Sequence, residues 1–379
     1  MLSFASSPQS TLGAEWELAI VDAEGFSLAS RAPEILEALK AEGTDHLQGK
    51  IVGEMLTNTV EIVSGAQTDV AGITADLSAT LDYLRNILAP RGLDVMCAGT
   101  HPFSPWWEQE VTPAYRYEEL VNRTQWWGRQ MLIFGVHTHV GIANRDHVMP
   151  IVRALMAYVP HLEAVSASSP YWAGHDTHYA SNRAMLFQQL PTAGLPFQLK
   201  NWAEYEDYIG DMLHTGVVDS INEIRWDIRP APGWGTVEIR VCDGIPTVAE
   251  LAAVTAFVQC LVHDMSQRLD RGEELNFLPD WFHRENKWRS ARYGMDTIII
   301  ENAACDERLV TDVIADEVER LAPIAEELGC SAELESMLSF ARVGASYQRQ
   351  KKVFEETGRM EDVAGLLVEE MRAGKPAGW

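Results

Sequence analysis

Four short segments set acidic, imidazole and guanidinium groups into runs that otherwise read as strands. TLGAEWELAIVD carries Glu15 and Glu17, EMLTNTVEIV carries Glu54 and Glu61, GVHTHVGI carries His137 and His139, and GTVEIRV carries Glu238 and Arg240. In an extended chain, side chains at i and i+2 share a face, about 7 Å apart. Two carboxylates that close repel and raise each other's pKa unless something positive sits between them. Each segment also has an ordinary reading. The glutamates suit wet strand faces, the histidines a satisfied core, and Glu238 with Arg240 a cross-strand ion pair. Taken together, carboxylate and imidazole groups from several strands, converging on one sheet face, would form a divalent-cation site. Oxygen donors without cysteine favour Mg²⁺ or Mn²⁺ over zinc. Two such ions about 4 Å apart clamp phosphates in phosphoryl transfer. Arg240 would then offer a planar fork to a phosphate or carboxylate. No GxxxxGK[ST] loop and no GxGxxG occurs, so a nucleotide would be held by metals and scattered basic residues.

The groups need strands to carry them. Residues 11–23, 52–65, 93–103, 131–142, 222–230 and 235–244 read as strands or strands running into loops. Residues 69–89 carry Val70, Ile73, Leu77, Leu81, Leu84 and Leu88 at helical steps and stop at Pro90. Further helices are predicted over 33–42, 147–168 (broken or bent at Pro160), 204–216, 247–271, 307–328, 332–344, 346–356 and 360–373. Residues 104–130, with Trp106, Trp107, Trp126 and Trp127, read as loop and helix covering something, and 169–200 as a long irregular segment. Strands crowd the first two-thirds and helices the last third. That distribution predicts an α+β fold on an antiparallel sheet, with residues 1–379 as a single domain and a helical segment from about 300 to the end.

Composition narrows the function. With 30 Lys+Arg against 55 Asp+Glu the net charge is −25, which argues against nucleic acid or an anionic membrane as partner. No stretch approaches the roughly 20 apolar residues of a membrane helix, and the N-terminus MLSFASSPQS has no signal-peptide pattern. Cys97, Cys242, Cys260, Cys305 and Cys330 are scattered, as expected of free thiols in a reducing cytoplasm. A homodimer is the expected assembly on frequency alone.

The blocks TLGAEWEL, AGTHPF, GVHTHVGI, SNRAMLFQQLPTAGLPF, WDIRPAPGWGTVEIRVCDG and KWRSARYG, in this order, resemble the short bacterial branch of glutamate–cysteine ligases, also called carboxylate–amine ligases. A more distant similarity runs to glutamine synthetases. The resemblance implies a strongly curved antiparallel sheet with helices outside, and ATP with Mg²⁺ as cofactors. It implies small-molecule substrates: glutamate or a similar acid, activated as a γ-glutamyl phosphate, and an amine, typically that of cysteine, in thiol biosynthesis of the glutathione type. Residue by residue, it implies one metal on Glu17, Glu54 and Glu61, and the phosphate-bridging metals on Glu15, His137 and Glu238. Glu54 stands where some relatives use Asp. It implies Arg240 at the transferring phosphoryl group or the substrate carboxylate, with His139 behind His137.

Other candidates lie in the same blocks. Arg229 and Arg183 are expected as anion contacts, and Lys287, Arg289 and Arg292 as phosphate contacts or the cover of a helical face. His101 and Arg116 belong to loops that could close over the site. His175 and His178 could bind substrate or stand exposed without a role. At least two of the four tryptophans are expected in the core. Two competing readings are a guanido-kinase-like phosphotransferase and a non-catalytic metal-binding scaffold.

Overall fold

Residues 2–41 and 50–379 are described in the computed structural model. The strands are β1 (Leu12–Asp22), β2 (Ile51–Gly53), β3 (Thr59–Val63), β4 (Leu93–Met96), β5 (Val136–Gly141), β6 (Tyr171–Trp172), β7 (His175–Asp176), β8 (Ile228–Ala231), β9 (Thr236–Ile239), β10 (Ile298–Ile300) and β11 (Glu307–Leu309). Seven of them form an antiparallel sheet in the order β2-β3-β1-β5-β9-β8, with β4 also paired to β1. The pairs β6–β7 and β10–β11 are separate two-stranded hairpins. This is the α+β sheet with helices outside that the sequence predicts.

β1 organises the sheet because it is long and alternates from Leu12 to Leu18. Leu12, Ala14, Trp16 and Leu18 are buried on one face, while Glu15 and Glu17 point to the other. Trp16 is fully buried and its indole N–H donates to the Ile245 carbonyl at 2.9 Å. The apolar face joins the core side of two long helices, Val70–Leu88 and Val248–Asp270. The first starts at Asp69, whose carboxylate accepts from the Gly72 N–H at 2.8 Å, and buries Ile73, Leu77, Leu81, Leu84 and Leu88. Each such side chain contributes about 1.5–3 kcal/mol on leaving water, so the sheet is held from its core side and its other face is left for chemistry.

Several expectations are revised. The helix over 147–168 is two helices, Val148–Leu155 and Val159–Ser166, joined by a tight turn with Pro160 in the first turn of the second. The segment 169–200 contains β6, β7 and a short helix, Asn182–Phe187. A helix at Asp280–Tyr293 and strand β10 arise where no element was expected, and β11 takes the first three residues of the helix predicted over 307–328, which starts at Val310. The helix predicted over 33–42 spans Ala32–Ala41, and Glu42 lies outside the described residues. Contrary to the composition reading, Arg145–Ser166 and Val248–Asp270 are long and apolar enough to cross a membrane, but 78% of each window is buried inside the protein, as in core helices. Cys97, Cys242, Cys260 and Cys330 are buried thiols and Cys305 is exposed.

Candidate metal centre

Register builds the polar face. Glu17 sits opposite Glu61 across β1–β3, and Glu15 opposite His137 across β1–β5. His139 sits opposite Glu238 across β5–β9, and Glu238 opposite Arg229 across β8–β9. Opposed residues share a face, so seven side chains from five strands form one row. Glu54, from the turn after β2, joins it. Three trios have donor atoms all within 4.8 Å of one another: Glu15, Glu61 and His137; Glu15, His139 and Glu238; Glu17, Glu54 and Glu61.

The row is short of positive charge. Burial above all, then Glu15, Glu54 and Glu17, push the Glu61 carboxyl up to about 10. Burial and the Glu54 charge push Glu17 up to about 7, although the Gly135 N–H donates to its Oε2 at 2.5 Å. Burial also raises Glu54. Glu238 goes the other way. Burial works to raise it, but Arg240 and Arg229 outweigh burial and hold it well below the usual range. Glu15 is likewise held low, because the neighbouring His137 and His139 rings outweigh its burial. Burial and then the Arg240 charge push His137 down to about 4, so its ring is neutral near pH 7. The contact from His137 Nδ1 to Glu15 Oε2, 2.8 Å, is therefore a neutral imidazole against a carboxylate.

These residues fit a divalent cation. The Nε2 atoms of His137 and His139 are buried without a hydrogen-bond partner. His139 is oriented by Thr236, whose hydroxyl lies 2.9 Å from Nδ1, and His137 by Glu15. A ring fixed through one nitrogen presents the lone pair of the other. His139 Nε2 lies 3.4 Å from Glu15 Oε1 and 4.0 Å from Glu238 Oε1. Both imidazoles thus face the carboxylates, and the choice of His137 over His139 does not follow from the geometry.

The guanidinium and ammonium groups divide differently from expectation. Arg240 is half-buried, pairs with Glu238 through Nη1 and lies 3.3 Å from His137 Nδ1, with Nε unpartnered. Arg229 is committed to protein: it meets Glu238 at 2.6 and 3.3 Å and the Asn222 and Ile224 carbonyls at 3.0 and 2.8 Å. It positions Glu238 and has little left for an anion. Arg183 is buried behind β5, near the Val241 and Arg240 carbonyls at 3.4 and 3.3 Å, against Gly135, where any Cβ would clash with its guanidinium. Neither arginine is placed as the expected substrate contact. Lys287, Arg289 and Arg292 do not converge. At 3.6 residues per turn, positions two and five further along a helix point elsewhere. Lys287 is buried against Asp227 at 2.6 Å, Arg289 pairs with Glu285 and Glu307 beside the β10–β11 hairpin, and Arg292 bonds the His178 carbonyl.

The loops differ as well. His101 is a fastener: Nε2 meets the Phe26 carbonyl at 2.9 Å, the Ser104 N–H donates to Nδ1, and burial pushes the ring down to about 4. No tryptophan of the 104–130 segment is in the core: Trp107, Trp126 and Trp127 are exposed and Trp106 is half-buried. His175 and His178 are exposed. Residues without a strand signal also reach the centre. The Tyr117 hydroxyl lies 3.4 Å from Glu54 Oε2, and Arg116, bonded to that hydroxyl, adds positive charge near Glu54. The helix Tyr115–Thr124 that carries them has no buried residue, so apolar periodicity could not have marked it.

Comparison with known proteins bears on the family and the fold. The profile of glutamate–cysteine ligase family 2 matches residues 11–368. A relative from Clavibacter michiganensis subsp. michiganensis, provisionally named glutamate–cysteine ligase 2, is 54% identical over 375 residues, covering 98% of this chain and 97% of its own. One from Mycobacterium ulcerans, with the same provisional name, is 51% identical over 371 residues, covering 98% and 93%. Among solved structures, a glutamate–cysteine ligase from Francisella tularensis in complex with AMP has the same fold, with a TM-score of 0.68 at 12% identity over 99% of this chain and 91% of that one.

Proposed function

Because the chain belongs to glutamate–cysteine ligase family 2, and so is an ATP-dependent ligase, we propose that it activates the γ-carboxylate of glutamate, or of a similar acid, and joins it to the amine of cysteine or a related acceptor. The carboxylate oxygen attacks the γ-phosphorus of ATP and ADP leaves. The amine nitrogen then attacks the acyl carbon and phosphate leaves, giving the γ-glutamyl amide. A free carboxylate is a poor acylating agent, and phosphorylation provides the leaving group. The observation that carries this reading is the set of three ligand trios sharing Glu15 and Glu61 on one sheet face.

In this reading Glu17, Glu54 and Glu61 hold one divalent ion. Glu15, Glu238 and the two imidazoles hold the ion or ions that meet the triphosphate. Bound Mg²⁺, or Mn²⁺ in its place, neutralises charge on the phosphates and on the transferring phosphoryl group. Arg240, fixed by Glu238, brings its charge to that phosphoryl group or to the acid's carboxylate. Arg229 keeps Glu238 ionised and in place. The neutral state of His137 keeps its lone pair for a ligand instead of a proton. Holding acid, phosphate and amine in line recovers much of the entropy of a three-body encounter. With ATP and amino acids as substrates, we place the protein in the cytoplasm.

The test is ADP release by the full chain with Mg²⁺, glutamate and a panel of amino acids and amines, with mass analysis of the product. Release that needs both acid and amine, with an amide as product, supports the reading. A stable phosphorylated guanidine would replace it with a kinase. Metal-dependent turnover that survives both Glu15→Gln and Glu238→Gln would end the ligand assignment.

A further inference from the structure

A second cavity, of about 340 Å³, opens between the end of the helix Asp280–Tyr293 and one face of the helix Ser346–Thr357. It shares no residue with the carboxylate row. Arg292, Lys351, Lys352 and His178 line it, with Asp296 and Glu355 as the opposing acids. Two of its cations lack carboxylate partners. Arg292 bonds the His178 carbonyl and lies over the rings of Tyr293 and Tyr179 at 5.1 and 5.6 Å, but pairs with no acid among the described residues. Lys352 forms no ion pair among the described residues, and Lys351 meets only Asp176, at 3.6 Å. In a chain with 55 acidic and 30 basic residues, three cations thus line one hollow, two of them without an ion pair among the described residues.

We propose that this cavity is a binding site for a small anion bearing a carboxylate or phosphate group. Guanidinium and ammonium groups that line one concave site bind such groups by charge-assisted hydrogen bonds. The cavity also has a route to the sheet. His178 holds a left-handed backbone, φ 60°, with its carbonyl on Arg292. The loop that carries it is pinned by Ser169 and Ser181, whose hydroxyls each donate to Asp243 at 2.7 Å. Asp243 lies three residues beyond Arg240 in the chain. An anion that draws Arg292 would therefore pull on a loop anchored beside the metal centre.

The experiment is a calorimetric titration of the full-length protein, free of metal and nucleotide, with inorganic phosphate and separately with succinate. Saturable binding of either is expected, weakened about ten-fold or more in Arg292→Gln/Lys352→Gln and unchanged in Glu238→Gln. Which of the two probes binds identifies the group recognised. The exposed Lys352→Gln alone, which leaves the fold intact, is expected to weaken binding in the same direction. The proposal is overturned if neither probe saturates or if binding survives both variants. It is also overturned if ATP displaces the probe, because these cations would then hold the nucleotide. Since the titration uses neither metal nor turnover, its failure leaves the ligase reading standing.

Discussion

Two buried charge clusters sit in the same molecule and are built on opposite plans. In the helical C-terminal region, Arg349 lies between Glu250 and Glu370. It donates to Glu370 at 2.8 and 2.9 Å and to Glu250 at 2.9 Å, and the Thr247 hydroxyl donates to Glu250 at 2.8 Å. Every polar side chain there meets a protein partner. On the sheet face, five carboxylates share Arg240 and Arg229, and both of those arginines lean on Glu238 alone. The first cluster is complete as folded. The second keeps protons on carboxylates and leaves two imidazole nitrogens unpartnered. Buried charge that brings its own counter-charge is structural. Buried charge that lacks it is waiting for an ion from outside.

The sharpest way to break this contrast is to remove one member from each cluster. Arg349→Ala leaves two buried carboxylates without a cation and is expected to destabilise the protein by about 3–5 kcal/mol, read as a lower denaturation midpoint that Mg²⁺ does not restore. Glu17→Gln is expected to cut Mg²⁺-dependent ADP release by about 10²–10³-fold while leaving the metal-free midpoint within a few degrees, because burial already pushes the Glu17 carboxyl toward its neutral form. If the two variants behave alike in both assays, the contrast is wrong.

A gentler probe uses pH. Glu61 has a folded pKa of about 10 against an ordinary 4.5. A raised folded pKa gives stability that is present below the unfolded value and lost as pH rises toward the folded one. Metal-free Glu61→Gln should therefore out-melt the parent by a margin that widens from pH 5 upward, on the order of 3 kcal/mol near neutrality, and Mg²⁺ should close that margin by stabilising the parent. Equal Mg²⁺-induced shifts in both proteins would refute the ligand role of Glu61. Glu163, buried between helices, is the control. Burial pushes it up to about 8, with Lys287 and the Ser290 hydroxyl only partly offsetting this. Its stability loss runs between pH 4.5 and about 8. Glu163→Gln should flatten that slope by the smallest margin of the four variants, and Mg²⁺ should make no difference to it.

The sequence carried the sheet row well because strand periodicity is short-range. Glu15 and Glu17 share a face whatever the fold, and so do His137 and His139. What it could not carry was register. That Glu61 falls opposite Glu17, and that His139 is as close to the carboxylates as His137, depends on strand pairing set by contacts far apart in the chain. The basic residues of KWRSARYG were unreadable for a different reason. The helix Asp280–Tyr293 has few apolar positions, so its phase was invisible and three cations that look adjacent in text point to three places. The tryptophans misled because size suggests burial, whereas Trp107 and Trp126 stand more than half exposed, at 62% and 58%.

The alternation of β1 has a last consequence, for how the protein fails. Trp16 and Leu18 hold the interior while Glu15 and Glu17, interleaved with them, hold the polar row. A slip of one position would turn the indole outward and the acids inward, so no breathing motion can scramble the one set and spare the other. Hydrogen exchange at the amides of residues 16–18 should then proceed only through global opening. Molecules that survive heat or ageing would remain fully competent, and a damaged population would look like fewer good copies rather than many impaired ones.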